Sequence, residues 1–490
     1  MSDPILVIDE GTTSTRAILF APDGRELGVA QRDLTQHYPG PGLVEHDAAE
    51  IWERSLACAQ AMVAHAGGAG RIAAIGITNQ RETIVFWDAA SGEPLAPAIV
   101  WQDRRTGDRC AELRAAGHED AVQAKTGLLL DPYFSATKIG WALDRWPQLR
   151  AAGDRLRCGT VESYLLYRLT GGMHASDATN ASRTALMDIH TGDWDEGLCD
   201  LFGVPRAILP EIVDCSGAIA RTDPALFGAA IPICGMAGDQ QAATIGQGCL
   251  DPGQVKATFG TGAFVLAATG DAAPRSQHRL LTTVLVQQGG QRRYALEGSV
   301  FVAGSLFQWL RDGLGLIASA DDSEALARSV ADNGGAVVVP ALSGLGAPHW
   351  QPDALAAITG LSFATGKAHV VRAALEAMAH QMRDLQSAFA GDGAQWAELR
   401  IDGGMVRNDW LAQDLGDILD IPVERPLYVE TTAIGAAMLA ATGAGLHRDL
   451  ATAAKVMRGD VERFASRMDA VTRQRRLAQW NAALAKVLAQ

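Results

Sequence analysis

The sequence predicts an α/β protein made of two similarly built domains with a ligand cleft between them. Three observations lead there. Short apolar runs alternate with helix-forming stretches through both halves of the chain. An apolar run, a Gly/Thr turn and a second apolar run occur near the N-terminus and recur in the second half. The chain has 490 residues, more than one domain of roughly 100–200 residues needs.

Taken in order, Ile5–Ile8 and Ala17–Phe20 flank the polar stretch 9–16 and predict a β-hairpin with that stretch at its tip. Asp47-Ala48-Ala49-Glu50 reads as a capping box opening a helix towards His65. Ile72–Ile77 and Thr83–Trp87 flank Thr78-Asn79-Gln80-Arg81-Glu82 and predict a second hairpin. Asp103–Ala116 predicts a helix with its charges on one side, and Ile231–Gly238 a buried strand. Gly246, Gly248, Pro252 and Gly253 cluster at a predicted boundary, giving domains 1–248 and 249–490. Val255–Phe259 and Phe264–Ala268, around Gly260-Thr261-Gly262, repeat the first hairpin. His369–Phe389 predicts a long helix; Leu399–Asp402 predicts a strand ending in Gly403-Gly404, and Asp409–Leu419 the helix behind it.

Composition excludes several classes. Acidic residues outnumber basic ones 56 to 42, a net charge of −14, which argues against a broad nucleic-acid surface. The seven cysteines are scattered with no CxxC, so neither a complete disulfide framework nor a zinc site is predicted, and a reducing compartment fits. The start MSDPILVIDEG lacks the basic segment and long apolar core of a signal peptide. The longest uncharged stretch, Asn333–Pro352, is broken by Pro340, Pro348 and several glycines, so it is no membrane span. The expectation is a soluble cytoplasmic protein.

The polar loops carry the candidate chemistry. In the first, Gly11 lets the backbone approach an oxyanion, while Thr12, Thr13 and Ser14 offer hydroxyls and N–H groups to phosphate oxygens. Arg16 can pair bidentately with phosphate, and Asp9 can hold Mg²⁺ through water. A solvated hairpin tip is the competing reading, but Gly260-Thr261-Gly262 supplies a partner loop, and two such loops can straddle a polyphosphate. A Walker-type loop is absent, because Gly366-Lys367 continues as Ala-His. No GxGxxG fingerprint predicts a nicotinamide nucleotide. Asp239, between a strand and a helix, reads either as an N-cap or as a general base for an alcohol. Arg81 and Glu82 offer a donor fork and an acceptor suited to polyol hydroxyls, or else form a surface ion pair. Trp101, Tyr133 and Phe264 are core residues or ligand walls.

Together, Ile8-Asp9-x-Gly-Thr-Thr-Ser-x-Arg16, Gly76–Thr83, Ile99-Val-Trp-Gln102, Asp131-Pro-Tyr-Phe-Ser135, Thr179–Thr184, Ala237-Gly-Asp-Gln-Gln-Ala-Ala243, Tyr294–Gly298 and Gly344–Pro348 resemble the FGGY carbohydrate kinase family. The match runs in the family's order from about Ile5 to about Gly443. The combination of NQRET, DPYFS and AGDQQAA is similar to the branch that phosphorylates glycerol rather than xylulose or gluconate. This resemblance implies two actin-like, ribonuclease-H-type domains with ATP, Mg²⁺ and glycerol in the central cleft. It implies in-line transfer to give sn-glycerol 3-phosphate, the first step of glycerol catabolism, with Asp239 as general base. Arg81, Glu82, Tyr133 and Asp239 are implied to bind the hydroxyls, Gln240 to contact the substrate beside them, and Trp101 and Phe264 to wall the carbon chain. Gly11, Thr12, Thr13, Ser14, Arg16, Gly260, Thr261, Gly304, Gln308, Gly404 and Asn408 are implied to bind nucleotide, with Asp9 and Asp239 at the metal. A homodimer or homotetramer is implied because relatives form them.

The chain departs from the family pattern in places. Glu10 stands where the family usually has Gln, so it either points away from the phosphate loop or weakens nucleotide binding. Glu162-Ser163-Tyr164 replaces Asp-Thr-Trp, read as a packing change, and Arg145 is an unusual end to the Tyr133–Asp144 stretch, which otherwise resembles a general signature of the family. Some relatives bind fructose bisphosphate at the loop before Ile231. No Lys or Arg lies between Arg221 and Lys256 here, so regulation at that site is not expected. Two alternatives remain on the same architecture: a kinase for another polyol or ketose, and an ATPase with no need for the Arg81–Glu82 pair.

Overall fold

The structure is a computed structural model that describes residues 3–351, 353–428 and 430–489. Pro352, which ends the uncharged stretch considered above, lies outside the described residues. Among the described residues no helix is long and apolar enough to cross a membrane, and all seven cysteines are buried and unpaired.

In the first half, β1 (Ile5–Glu10), β2 (Ser14–Phe20) and β3 (Glu26–Asp33) form an antiparallel meander. Helix α1 (Ala48–His65) follows, then β4 (Ala74–Asn79), which pairs parallel with β1. After β5 (Ile84–Asp88), β6 (Leu156–Thr160) and β7 (Ser216–Arg221), β8 (Pro232–Gly238) joins β4 in parallel. The sheet order is β7-β8-β4-β1-β2-β3. Strand alternation explains why all of β1 is apolar until its end: Ile5 and Val7 face one core while Leu6 and Ile8 face another.

Helix α2 (Asp239–Gly246) leaves β8 and leads to the second half. There β9 (Gln254–Phe259) and β10 (Ala263–Gly270) form the repeated hairpin, extended by β11 (Leu281–Gln288) and β12 (Gln291–Val300). Helices α3 (Gly304–Asp312) and α4 (Lys367–Gly391) precede β13 (Glu398–Asp402), which pairs parallel with β9. Helix α5 (Asp409–Leu419), strand β14 (Val423–Pro426), helix α6 (Thr431–Gly443) and strand β15 (Val461–Phe464) complete the order β11-β12-β10-β9-β13-β14-β15. Each half therefore contains the same spatial unit, three antiparallel strands with two parallel strands beside the first; in the second half the third antiparallel strand is β12, and β11 is added at its edge. This is the repeated actin-like arrangement. Helix α6 is buried on every side by Ala, Gly and Leu, because it crosses back to pack on β8, β4 and β1 as well as on α2.

Several local expectations are corrected. β4 and β5 are not a hairpin: β4 belongs to the large sheet, whereas β5 pairs antiparallel with β6 in a separate one. The chain turns between them at Glu82, whose φ of 63° is left-handed. The helix expected from Asp103 begins at Gly107, since Asp103 is buried and spends its carboxylate on the Val44 N–H and the Arg105 guanidinium. Asp47 caps α1 through the Ala49 N–H, but Glu50 accepts from Thr35 instead of closing a capping box. Asp239 is not the N-cap of α2; Gly238 is.

Candidate active site

The ends of β1, β4, β8 and β9 converge at the interface of the two halves, as parallel strands do at a ligand crevice. Two cavities meet this region. The smaller, about 50 Å³, is lined by Thr12, Arg81, Glu82, Trp101, Tyr133, Asp239, Gln240 and Phe264. The larger, about 500 Å³, lies in the second half and includes Gly260, Thr261, Gly304, Gln308, Gly404 and Asn408 in its lining. The β9–β10 hairpin touches both, with Gly260 and Thr261 on one and Phe264 on the other. Sequence reasoning named every residue of the small cavity and six of the large one. Gly11, Thr13, Ser14, Arg16 and Asp9 line neither.

Backbone crowding explains Gly304 in the lining of the large cavity, and Gly403 beside it. A Cβ on Gly304 would lie 2.5 Å from the Gly260 carbonyl, and one on Gly403 2.4 Å from that of Phe259. Side chains at either position would force the hairpin away from α3 and from the end of β13.

In the small cavity, Asp239 opens α2 with its Oδ1 accepting the Gln240 N–H at 2.7 Å and lying 3.3 Å from Arg81 Nε. Burial raises the pKa of this carboxyl, against the pull of Arg81 and Lys256, and the nearby charge of Asp9 adds to the rise. Trp101 stands edge-on to Tyr133 and Phe264, with centroids 5.6 and 6.4 Å away, and donates Nε1–H to Thr12 Oγ1 at 3.0 Å. One wall is thus aromatic and the other carries charged and hydrogen-bonding groups.

Arg81 and Glu82 are not a surface pair: they are 2 % and 1 % exposed. Arg81 donates to Glu297 Oε2 at 2.6 Å, to Gln241 Oε1 at 3.3 Å and to the Tyr133 hydroxyl at 3.2 Å. Arg183 Nε donates to Glu82 Oε1 at 2.7 Å, and its Nη2 to Glu297 Oε1 at 2.9 Å. Glu82 Oε2 has no protein hydrogen bond among the described residues. Lys256, buried on β9, donates Nζ–H to Gln240 Oε1 at 2.7 Å and to Thr258. Arg183, Glu297, Gln241 and Lys256 were not anticipated as site residues. The available signal was charge inside apolar runs, as in Tyr294-Ala-Leu-Glu-Gly298.

At the first loop, Arg16 is bound by Asp9 and by Glu430, which precedes α6. Glu10 points the other way along β1. It is fully buried, accepts from Ser55 Oγ at 2.7 Å, and leaves Oε1 without a partner. Burial pushes its pKa up to about 8, so this carboxyl is mostly neutral at pH 7 and replaces the family's amide without adding charge to the loop. Glu162, read as a packing change, instead accepts from Thr160, Ser176 and Asn79 in a buried polar network.

Two interlocked α/β units with a carboxylate at a strand end, a small polar cavity and a nucleotide-sized cavity define a sugar- or polyol-kinase class of protein. Residues 4–246 match the N-terminal domain, and residues 255–444 the C-terminal domain, of the FGGY family of carbohydrate kinases. The chain is 54 % identical to a glycerol kinase of Rhodospirillum centenum over 484 residues, covering 98 % of this chain and 97 % of that one. It is 52 % identical to glycerol kinase 1 of Pseudomonas aeruginosa, covering 99 % of each. The crystal structure of Plasmodium falciparum glycerol kinase with ADP superposes with a TM-score of 0.95 at 35 % identity, over 100 % of this chain and 99 % of that one. The chain belongs to the FGGY family of carbohydrate kinases, and within it to the glycerol kinases.

Proposed function

We propose that this enzyme transfers the γ-phosphoryl group of ATP to a terminal hydroxyl of glycerol, giving sn-glycerol 3-phosphate as the entry to glycerol catabolism. The observation that carries the reading is the pairing of the cavities: a small one ending on Asp239 and a nucleotide-sized one joined to it by a single hairpin. The first holds a short polyol with its carbon chain on Trp101 and Phe264 and its hydroxyls towards Arg81, Glu82, Tyr133, Asp239 and Gln240. Glu82 Oε2 is a ready acceptor there. Gly260, Thr261, Gly304, Gln308, Gly404 and Asn408 hold the nucleotide.

Asp239 accepts the proton of the attacking hydroxyl as its oxygen bonds to the γ-phosphorus and the bond to ADP breaks. A carboxylate with a raised pKa is the better base for this task. The Gly11 N–H closes the loop by donating to the Ser14 carbonyl, while backbone N–H groups of Thr12, Thr13 and Ser14, with Arg16, stabilise charge on the transferring group. Arg16 must exchange Glu430 or Asp9 for phosphate oxygens to do so.

Asp9 and Asp239 fit Mg²⁺. The charge of Asp9 lies near enough to add to the raised pKa of Asp239, and no third metal-ligating side chain is clustered beside the two among the described residues. That donor set suits an ion keeping most of its waters and shared with phosphates; when bound it supplies neutralisation of the phosphate charge. The domain division 1–248 and 249–490, a cytoplasmic location and a homodimer or homotetramer belong to this same reading.

The test is ADP release from ATP with and without glycerol, with the product identified. Glycerol-dependent release yielding glycerol 3-phosphate is expected. ATP hydrolysis indifferent to glycerol overturns the proposal.

A further inference from the structure

We infer that Arg183 and Glu297 are positioning residues that set the shape of the polyol site from behind, and that Glu297 does so across the interface between the two halves. The inference rests on the polyol-kinase reading and deepens it. Neither residue lines the small cavity, and both are 0 % exposed. Each touches what does line it.

Arg183 follows a turn of helix at Ala178–Ala181. Its Nε holds Glu82 Oε1 at 2.7 Å, and its guanidinium lies 5.6 Å from the ring centroid of Tyr133 and 5.2 Å from that of Phe134. Nη1 makes no hydrogen bond, and the charge rests on these aromatic faces instead. One side chain therefore fixes both the acceptor carboxylate and the aromatic hydroxyl of the cavity. It also leaves Glu82 Oε2 free, because Oε1 is the oxygen it takes.

Glu297 sits mid-strand on β12, between Leu266 of β10 and Leu281 of β11, where an isolated charge would be prohibitive. It receives both terminal nitrogens of Arg81, at 2.6 and 3.3 Å, and Nη2 of Arg183 at 2.9 Å. Burial alone would raise its pKa, but Arg183 and Arg81 outweigh that and hold it ionised, below the ordinary carboxylate range. With its terminal nitrogens anchored on Glu297, Arg81 presents Nε to Asp239 and Nη2 to Tyr133. The two guanidiniums and the carboxylates of Glu82 and Glu297 balance in charge, so the unit is stable as a whole and intolerant of losing one member. An arginine is required at 183: a lysine keeps the charge but cannot reach two carboxylates with a rigid fork.

The test uses Arg183→Lys and the near-isosteric Glu297→Gln in the full-length chain. Steady-state KM is measured separately for glycerol and ATP, alongside thermal unfolding and ADP affinity. The expected result is a glycerol KM raised at least tenfold in both variants, with ATP KM and ADP affinity within twofold of the parent. A purely structural role would lower stability and raise both KM values together or neither, and either pattern overturns the inference. Should Arg183→Lys fail to fold, Glu297→Gln carries the same test. A parent enzyme without any glycerol response removes the functional reading and this inference together, whereas a glycerol-dependent parent with unaffected variants removes the inference alone.

Discussion

Asp239 Oδ1 lies 3.3 Å from Arg81 Nε, the closest approach between the proposed base and a cation in the polyol cavity. The ion pair orients the carboxylate while burial raises its pKa. Asp239→Asn keeps the shape and removes the basicity. Turnover is expected to fall by about 10²–10⁴, the usual worth of a general base, with glycerol binding retained. Steady-state kinetics with calorimetric glycerol binding check this; near-normal turnover removes Asp239 as base. Because the deprotonated form acts, kcat/KM of the parent should decline on the acid side, beginning at higher pH than an ordinary aspartate would impose.

Glu10 links stability to pH. Its folded pKa of about 8 exceeds the ordinary 4.5, so between those values the unfolded chain has released a proton that the folded chain retains. This group's contribution is complete below about pH 4.5 and falls as pH rises, by about 1.4 kcal/mol per unit until pH 8. Glu10→Gln, which supplies the uncharged amide, should be the more stable protein at pH 8 and should differ little at pH 5. Denaturant melts of both proteins at the two pH values measure it, and parallel pH profiles would count against a protonated Glu10.

Helices α2 and α6 cross with almost no side chain between them. A Cβ on Gly435 would lie 1.8 Å from the Ala242 carbonyl. Gly435→Ala must push α2, and with it Asp239, away from α6. A loss of about 1–3 kcal/mol in stability is expected from overpacking, together with a drop in kcat. Chemical denaturation and kinetics of the variant decide; unchanged values for both would mean the crossing yields freely.

Fructose bisphosphate is expected not to inhibit through the loop before Ile231. The β7–β8 hairpin does bring Arg221 to that loop, but its guanidinium donates to the Ala230 carbonyl at 2.8 Å. One arginine spent on backbone is a poor partner for two phosphates. Activity at saturating bisphosphate should match activity without it, and strong inhibition would refute the prediction.

The legible part of this molecule was what sequence writes locally. The Gly/Thr hairpins, the strand before Asp239, and helix α5 at Asp409–Leu419 all follow from apolar runs and turn residues. The lining of the small cavity, and six residues of the large one, were named through motif resemblance, one residue at a time. What stayed hidden depends on distant contacts. Nothing near Glu82 says that β5 leaves the sheet of β4, because the left-handed turn there is stabilised by Arg183, about a hundred positions away in the chain. Nothing near Glu297 says that a carboxylate inside a strand meets Arg81 from the other half. Glu10 could be recognised as unusual, but only alternation along β1 and the position of Ser55 show which way it faces.

The Arg81–Glu297 contact also has a mechanical side. Pulling β12 away from the loop after β4 would strand a buried carboxylate and two guanidiniums, at a cost of about 3–5 kcal/mol. The polyol end of the crevice is therefore costly to open. Arg16 and Glu430 make a second contact between the halves, through a pair partly open to water. The contact that shapes the small cavity is thus also a clasp between the two halves of the chain.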